Sequence, residues 1–186
     1  MNPLDLSAIR IEPATEQDLP QILALFDAAV RWLVEQGLSD QWGTQPFSQQ
    51  PAEIEDFVAW IRQGSFFVAR HHAAILGTIV IVSAPPAPSA HEWNQTPRTA
   101  LYLKAFTTDR RYAGQGLGRL MLDWVERLAL NQGIDWLRLD CWAGNAALRR
   151  YYRQQGFEER GEFGQGAWRG MLFEKRLSPP DRSVTD

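Results

Sequence analysis

One turn constrains this chain more than any other feature: Tyr112-Ala113-Gly114-Gln115-Gly116-Leu117-Gly118, with glycine at three of five consecutive positions. An apolar segment, Ala100–Thr108, leads into it. A helical pattern leaves it at once, with Leu117, Leu120, Met121, Trp124, Val125 and Leu128 spaced by threes and fours. Gly133 stops that helix, and Trp136–Trp142 reads as a further strand. Strand, glycine turn, helix, strand is the geometry of an anion cradle. The glycines let the backbone turn tightly and let a ligand approach without meeting a β-carbon. The helix that follows aims its unpaired N–H groups, and the positive end of its dipole, at whatever lies above.

Two familiar phosphate loops do not fit. No Lys-Ser or Lys-Thr follows the last glycine, so the turn is not a P-loop. The dinucleotide pattern Gly-x-Gly-x-x-Gly places Arg119 or Met121 where its last glycine belongs. The stretch resembles instead the acyl-CoA pyrophosphate loop of the GNAT superfamily of N-acyltransferases, Arg/Gln-x-x-Gly-x-Gly/Ala at the start of a helix after the fourth strand. Two registers are open. Arg111–Gly116 satisfies the string, whereas the family's spacing from strand to helix favours Ala113–Gly118, with Ala113 a departure at its first position. Downstream, Asn145-Ala146-Ala147-Leu148, then Tyr152, then Gly156-Phe157 resembles the family's Asn-x-x-(small or apolar)-x-x-x-Tyr-x-x-x-Gly-Phe segment.

The resemblance implies a set of roles. Acetyl-CoA is the expected cofactor, its diphosphate held by Ala113, Gly114, Gln115, Gly116, Leu117, Gly118 and Arg119, chiefly through backbone amides. Phe106, Thr107 and Thr108 fall where an open strand edge pairs with the pantetheine arm. Asn145 is both a natural N-cap and a candidate pantetheine contact. Tyr152 lies where the family's tyrosine meets the sulfur and is the candidate general acid. A phenol's pKa of about 10 keeps proton transfer to the leaving thiolate nearly balanced. Tyr151 points about 100° away around the helix and reads as a core filler. The implied fold is α/β (α+β): a mixed, mostly antiparallel sheet of six to seven strands with helices on both faces, strands four and five splayed.

An amine acceptor brings a further demand. An alkyl amine with a pKa of about 10.4 is neutral in roughly one molecule in 2,500 at pH 7, a penalty of about 4.6 kcal/mol. The site therefore needs a carboxylate or a water chain ending in one. Glu35, Asp40, Glu92 and Asp140 are the candidates, and no spacing separates them. Of the eight tryptophans, Trp60, Trp124 and Trp136 lie in regular elements and read as core. Trp32, Trp42, Trp93 and Trp142 fall at loops or helix ends that should rim the acceptor side, and some of them are expected to form an aromatic wall for the acceptor.

Composition narrows the classes of function. A net charge of −3 argues against a general nucleic-acid binder. The longest apolar run, Ala73–Ala84, is too short to span a bilayer, and Met1–Asp5 lacks the start of a signal peptide. The lone Cys141 sits in a strand without an activating histidine, which fits a reducing, cytoplasmic setting and direct acyl transfer. Three scattered histidines offer no metal-ligand spacing.

Along the chain, Ile9–Glu12 reads as a strand, and Thr15–Asp18 as a capping box opening a helix whose inward face is Leu19, Ile22, Leu23, Phe26, Val30, Leu33 and Val34. Pro51 opens a second helix with Ile54, Phe57, Val58 and Ile61 inward. Phe66–Arg70 and Ile75–Val82 form a hairpin, Pro85–Arg98 an irregular loop, and Phe157–Phe163 and Trp168–Leu177 two closing strands joined across Gly164-Gln165-Gly166. Residues 1–177 read as a single N-acetyltransferase domain and 178–186 as a disordered tail. The expected activity is acetyl transfer from acetyl-CoA to an amine, a small molecule favoured, with no membrane or nucleic-acid partner; the resemblance allows a homodimer. The alternatives are an acyl-CoA sensor without turnover and an acetyltransferase for protein lysines or N-termini.

Overall fold

The computed structural model describes residues 3–164 and 168–178. Seven strands form one sheet: β1 (Arg10–Pro13), β2 (Phe66–His71), β3 (Ala74–Val82), β4 (Leu101–Thr108), β5 (Trp136–Trp142), β6 (Glu158–Phe163) and β7 (Gly170–Arg176). The spatial order is β1-β2-β3-β4-β5-β7-β6, with every neighbouring pair antiparallel except β4 and β5. That parallel pair is short. Leu101, Tyr102 and Leu103 partner Leu137, Arg138 and Leu139, and nothing pairs beyond them. The sheet therefore parts at its centre, as the resemblance implied.

Helices cover both faces because the strands are apolar on both. On one face lie α1 (Leu19–Glu35) and α2 (Pro51–Arg62), whose Ile22, Phe26, Val30, Phe57 and Ile61 pack on Phe66, Val68 and Val80. On the other, α4 (Leu117–Asn131) sets Met121, Leu122 and Val125 against Leu76, Ile79, Leu103 and Leu139. Tyr152 and Leu148 of α5 (Ala146–Gln154) join the same cluster. The capping box is present: the Asp18 carboxylate accepts from the Thr15 N–H at 2.9 Å and from its hydroxyl at 3.0 Å. The inward stripe of α1 differs in detail, since Leu25 and Ala29 are buried while Val34 is 42% exposed. Leu33 is buried in the same last turn, and Val34, one position on, falls outside the buried stripe of Ile22, Leu25, Phe26, Ala29, Val30 and Leu33.

The Pro85–Arg98 stretch is more ordered than its prolines suggest. It contains a 3₁₀ turn at Ala87–Ser89 and a short helix, α3 (Ala90–Asn94). Trp93, 2% exposed, anchors it beside Ala100, Tyr102, Phe163 and Leu172. Arg138, fully buried, holds it from beneath: its guanidinium donates to the Thr96 carbonyl at 2.7 Å, to Glu174 at 2.7 Å and to the Tyr102 hydroxyl at 3.1 Å, and stacks 4.4 Å from the Trp93 ring. A buried guanidinium needs this much compensation. The expected turn at Gly164-Gln165-Gly166 and the tail from 178 lie, apart from Gly164 and Ser178, outside the described residues.

Candidate active site

The glycine turn is built from the strand outward. Asp109, buried at the end of β4, caps a 3₁₀ turn over Arg110–Tyr112 by accepting from the Arg111 N–H at 2.9 Å and from its guanidinium at 2.6 Å. Burial pushes the Asp109 carboxyl up, but these bonds outweigh it and hold the group below its usual value. Gly114 and Gly116 then take φ of +76° and +86°, which side-chain-bearing residues rarely adopt. Gly118 is required for space: a β-carbon there would sit 2.5 Å from the Tyr151 hydroxyl.

The turn uses some of its own amides. The N–H groups of Ala113 and Gln115 donate to Arg110 O and Tyr112 O. Those of Gly114, Gly116, Leu117, Gly118 and Arg119 find no acceptor among the described residues, the last three because they form the open first turn of α4. Five unspent donors within six positions, with no β-carbon at three of them, fit a diphosphate. Gln115, expected among the cradle's amides, has its N–H spent on Tyr112 O. Its side chain turns away from the cleft and its Oε1 accepts from the Leu4 N–H at 2.7 Å. Arg111, the alternative start of the motif, is tied to Asp109, whereas Ala113 lines the cleft.

That cleft, about 550 Å³, opens where β4 and β5 part. Phe106, Thr107 and Thr108 form one wall, on the edge of β4 that no strand covers. Ala105 kinks the strand there with φ +47°, its carbonyl held by the Thr78 hydroxyl at 2.8 Å. Asn145 and Tyr152 of the α5 region form the opposite wall. The Asn145 Oδ1 caps α5 by accepting from the Leu148 N–H at 3.0 Å, and its Nδ2 donates to Gln41 Oε1 at 2.5 Å. Tyr152 is 5% exposed, packed on Phe157 and Phe173, and its hydroxyl makes no hydrogen bond among the described residues. Burial pushes that phenol well above its ordinary value. Tyr151, expected only to fill the core, also lines the cleft, with its hydroxyl buried and unpartnered over Gly118.

The acceptor candidates scatter. Trp42 lines the cleft, resting on Phe26 and Phe47. Trp32 lines it too, beneath the Arg110 guanidinium at 3.8 Å. Trp93 does not: it is buried at the start of β4, where the strands are still paired. The ring of Trp142 folds onto Gly144 in the turn that follows β5. Glu35 and Glu92 lie off the cleft, at the end of α1 and in α3. Asp40 contributes its backbone, accepting from Trp168 Nε1 at 3.1 Å. With the Gln41–Asn145 bond, this straps the α1–α2 connection across the gap.

Asp140 does not line the cleft either, but its position in the sheet sets it apart from the other carboxylates. It is the first β5 residue past the last β4–β5 pair, and Lys104 holds the matching place on β4. Leu139 and Cys141 face α4, so Asp140 points to the other face of the sheet, the one that α1 and α2 cover. Burial pushes its carboxyl up to about 6, against the pull of Lys104. Burial likewise pushes the Lys104 ammonium down, opposed by Asp56, Asp140 and Glu53. That ammonium lies 4.2 Å over the ring of Trp60, a residue read from the sequence as core. Lys104 was missed; its signal was being the one charged residue in an otherwise uncharged strand.

Comparison with known proteins agrees with this geometry. The profile described as "Acetyltransferase (GNAT) family" matches residues 26–157. YesJ, an uncharacterised N-acetyltransferase of Bacillus subtilis (strain 168), is 32% identical over 172 residues, 89% of each chain. The fold is shared with the PaiA N-acetyltransferase of Thermoplasma acidophilum, solved with coenzyme A (TM-score 0.67, 16% identity, 91% of this chain and 99% of that one). It is shared as well with YncA of Salmonella typhimurium, a putative acetyltransferase solved with acetyl-CoA (TM-score 0.62, 16% identity, 96% and 98%). A profile match over most of the chain and a relative of this similarity place the protein in the GNAT family, as an acetyl-CoA-dependent N-acetyltransferase.

Proposed function

We propose that this protein moves an acetyl group from acetyl-CoA directly to the amine of a small molecule, with Tyr152 facing the sulfur and Asp140 taking the amine's proton. The observation that carries the reading is the convergence on one cleft of five uncommitted amides, the free edge of β4 and the unbonded hydroxyl of Tyr152.

Acetyl-CoA supplies an acyl group already activated as a thioester. The amides of Gly114, Gly116, Leu117, Gly118 and Arg119 hold the diphosphate, and the uncovered edge of Phe106–Thr108 aligns the pantetheine arm by strand-like pairing. Asn145 still has an N–H to offer that arm, although its amide also serves α5 and Gln41. Tyr152 keeps its proton at neutral pH because burial disfavours the phenolate. Its hydroxyl donates to the sulfur as negative charge develops there, the kind of interaction that strengthens in the transition state. Asp140, with a pKa of about 6, is ionised at pH 7 yet basic enough to accept a proton, the compromise a general base needs. The strap from Asp40 and Gln41 narrows the gap and supports a small acceptor over a folded protein.

The test is thiol release from acetyl-CoA across a panel of polyamines, aminoglycosides, amino acids and peptides. Amine-dependent release that falls at least 100-fold in Tyr152→Phe, with CoA affinity kept, is expected. Tight CoA binding with no release on any amine points to a sensor instead.

A further inference from the structure

Three glycines in five positions make the turn able to receive a diphosphate and also make it loose. Glycine loses more conformational freedom on ordering than any other residue. A turn left to itself would meet that loss when ligand binds, and affinity would fall accordingly. Something has to hold it beforehand, and only part of the support comes from the turn's own hydrogen bonds.

The rest comes from the far end of the chain. The Asp5 carboxylate accepts from the Ser7 N–H at 3.0 Å and from its hydroxyl at 2.6 Å, fixing a 3₁₀ turn at Leu6–Ala8. β1 follows at once and is locked to β2. From this anchored piece the Leu4 N–H donates to Gln115 Oε1 at 2.7 Å, across 111 residues of sequence. A Leu6 methyl lies 3.3 Å from where a Gly116 β-carbon would be. Leu4, Leu6 and Ile9 all pack against the α4 cluster.

We propose that residues 4–8 are a brace for the diphosphate turn: Leu6 and the Leu4–Gln115 bond hold Gly114–Gly118 in its ligand-ready shape, so that acetyl-CoA affinity depends on a segment that does not touch acetyl-CoA. Leu6 and Gln115 are thus positioning residues. The side chain of Gln115 acts on the outer side of the turn, away from the cleft. The inference rests on the turn being the CoA site.

The experiment measures Leu6→Ala, Gln115→Ala and Leu6→Met by steady-state kinetics, calorimetric titration with CoA and thermal melting. Leu6→Ala and Gln115→Ala are expected to raise the KM for acetyl-CoA and the Kd for CoA five- to thirtyfold, with kcat and the acceptor KM within twofold. Leu6→Met, which keeps the apolar contact, restores wild-type affinity to within twofold. A purely structural role would instead lower kcat in step with the folded fraction and leave both KM values alone, and that outcome overturns the proposal. So does an unchanged KM in both alanine variants. Should the wild-type protein fail to bind CoA, the CoA-site reading itself fails, a result distinct from either.

Discussion

Replacing Asp140 by Asn separates what the residue contributes to the reaction from what it does to the fold. Its carboxyl titrates near 6 in the folded protein against 3.8 when unfolded. Between those values the native state binds more protons than the unfolded one, so the raised pKa lowers stability as pH rises through 6 and has no effect below about 4. The shift corresponds at pH 7 to about 2 to 3 kcal/mol, the lower figure allowing for the part of Asp140 still in water. Asn has the same shape and no charge. Asp140→Asn is therefore expected to be more stable than wild type by about 2 kcal/mol at pH 8 in urea titrations, and equal to it near pH 4. Activity should move the other way, by about 100-fold or more at pH 7. The pH profile adds a sharper mark. Log kcat/KM for the amine should rise with slope one below pH 6, where Asp140 must be ionised to take the ammonium proton, and level off above it. The Asn variant should show slope one throughout. A wild-type profile without a break near 6, or an Asn variant no more stable at pH 8 than its parent, would sink the assignment.

Lys104→Met removes the one group that pulls the Asp140 pKa down, so the break in the profile should move to higher pH. An unmoved break shows that the two do not interact. Gly118→Ala places a methyl against the Tyr151 hydroxyl; a CoA Kd raised at least tenfold in calorimetric titration is expected, and Tyr151→Phe in the same background should recover part of it. Arg138→Leu leaves the buried Glu174 short of its main partner, at about 3 to 5 kcal/mol, and should lower the melting temperature by about 10 °C. Cys141 is buried and its thiol pushed up to about 12, so the native protein should resist iodoacetamide at pH 8 until denatured, and Cys141→Ala should keep its amine-dependent thiol release.

The sequence revealed whatever depended on local pattern. Thr15 and Asp18 announced the first helix, Pro51 the second, and the glycine turn with its helix needed only residues within a few positions of one another. What escaped notice was long-range. Nothing in the run from Pro85 to Arg98 shows that Arg138 reaches up to the Thr96 carbonyl, so an ordered loop looked irregular. Trp93 resembled a rim residue because its burial depends on Tyr102 and Leu172, far away in the chain. Four carboxylates were indistinguishable until the strand register put Asp140 one step past the last rung. Gln115 was placed in the right turn, but its side-chain bond to the Leu4 N–H, far away in the chain, left no local mark.

The three rungs that join β4 to β5 give the sheet the character of a half-open book. Four strands make one cover and three the other, and the spine is a few peptide groups long. A ligand's arm laid along Phe106–Thr108 becomes a missing page that the protein does not encode. Amides on both sides of the spine should exchange with deuterium more slowly once that page is in place, and the covers on either side, already bound within themselves, should scarcely change.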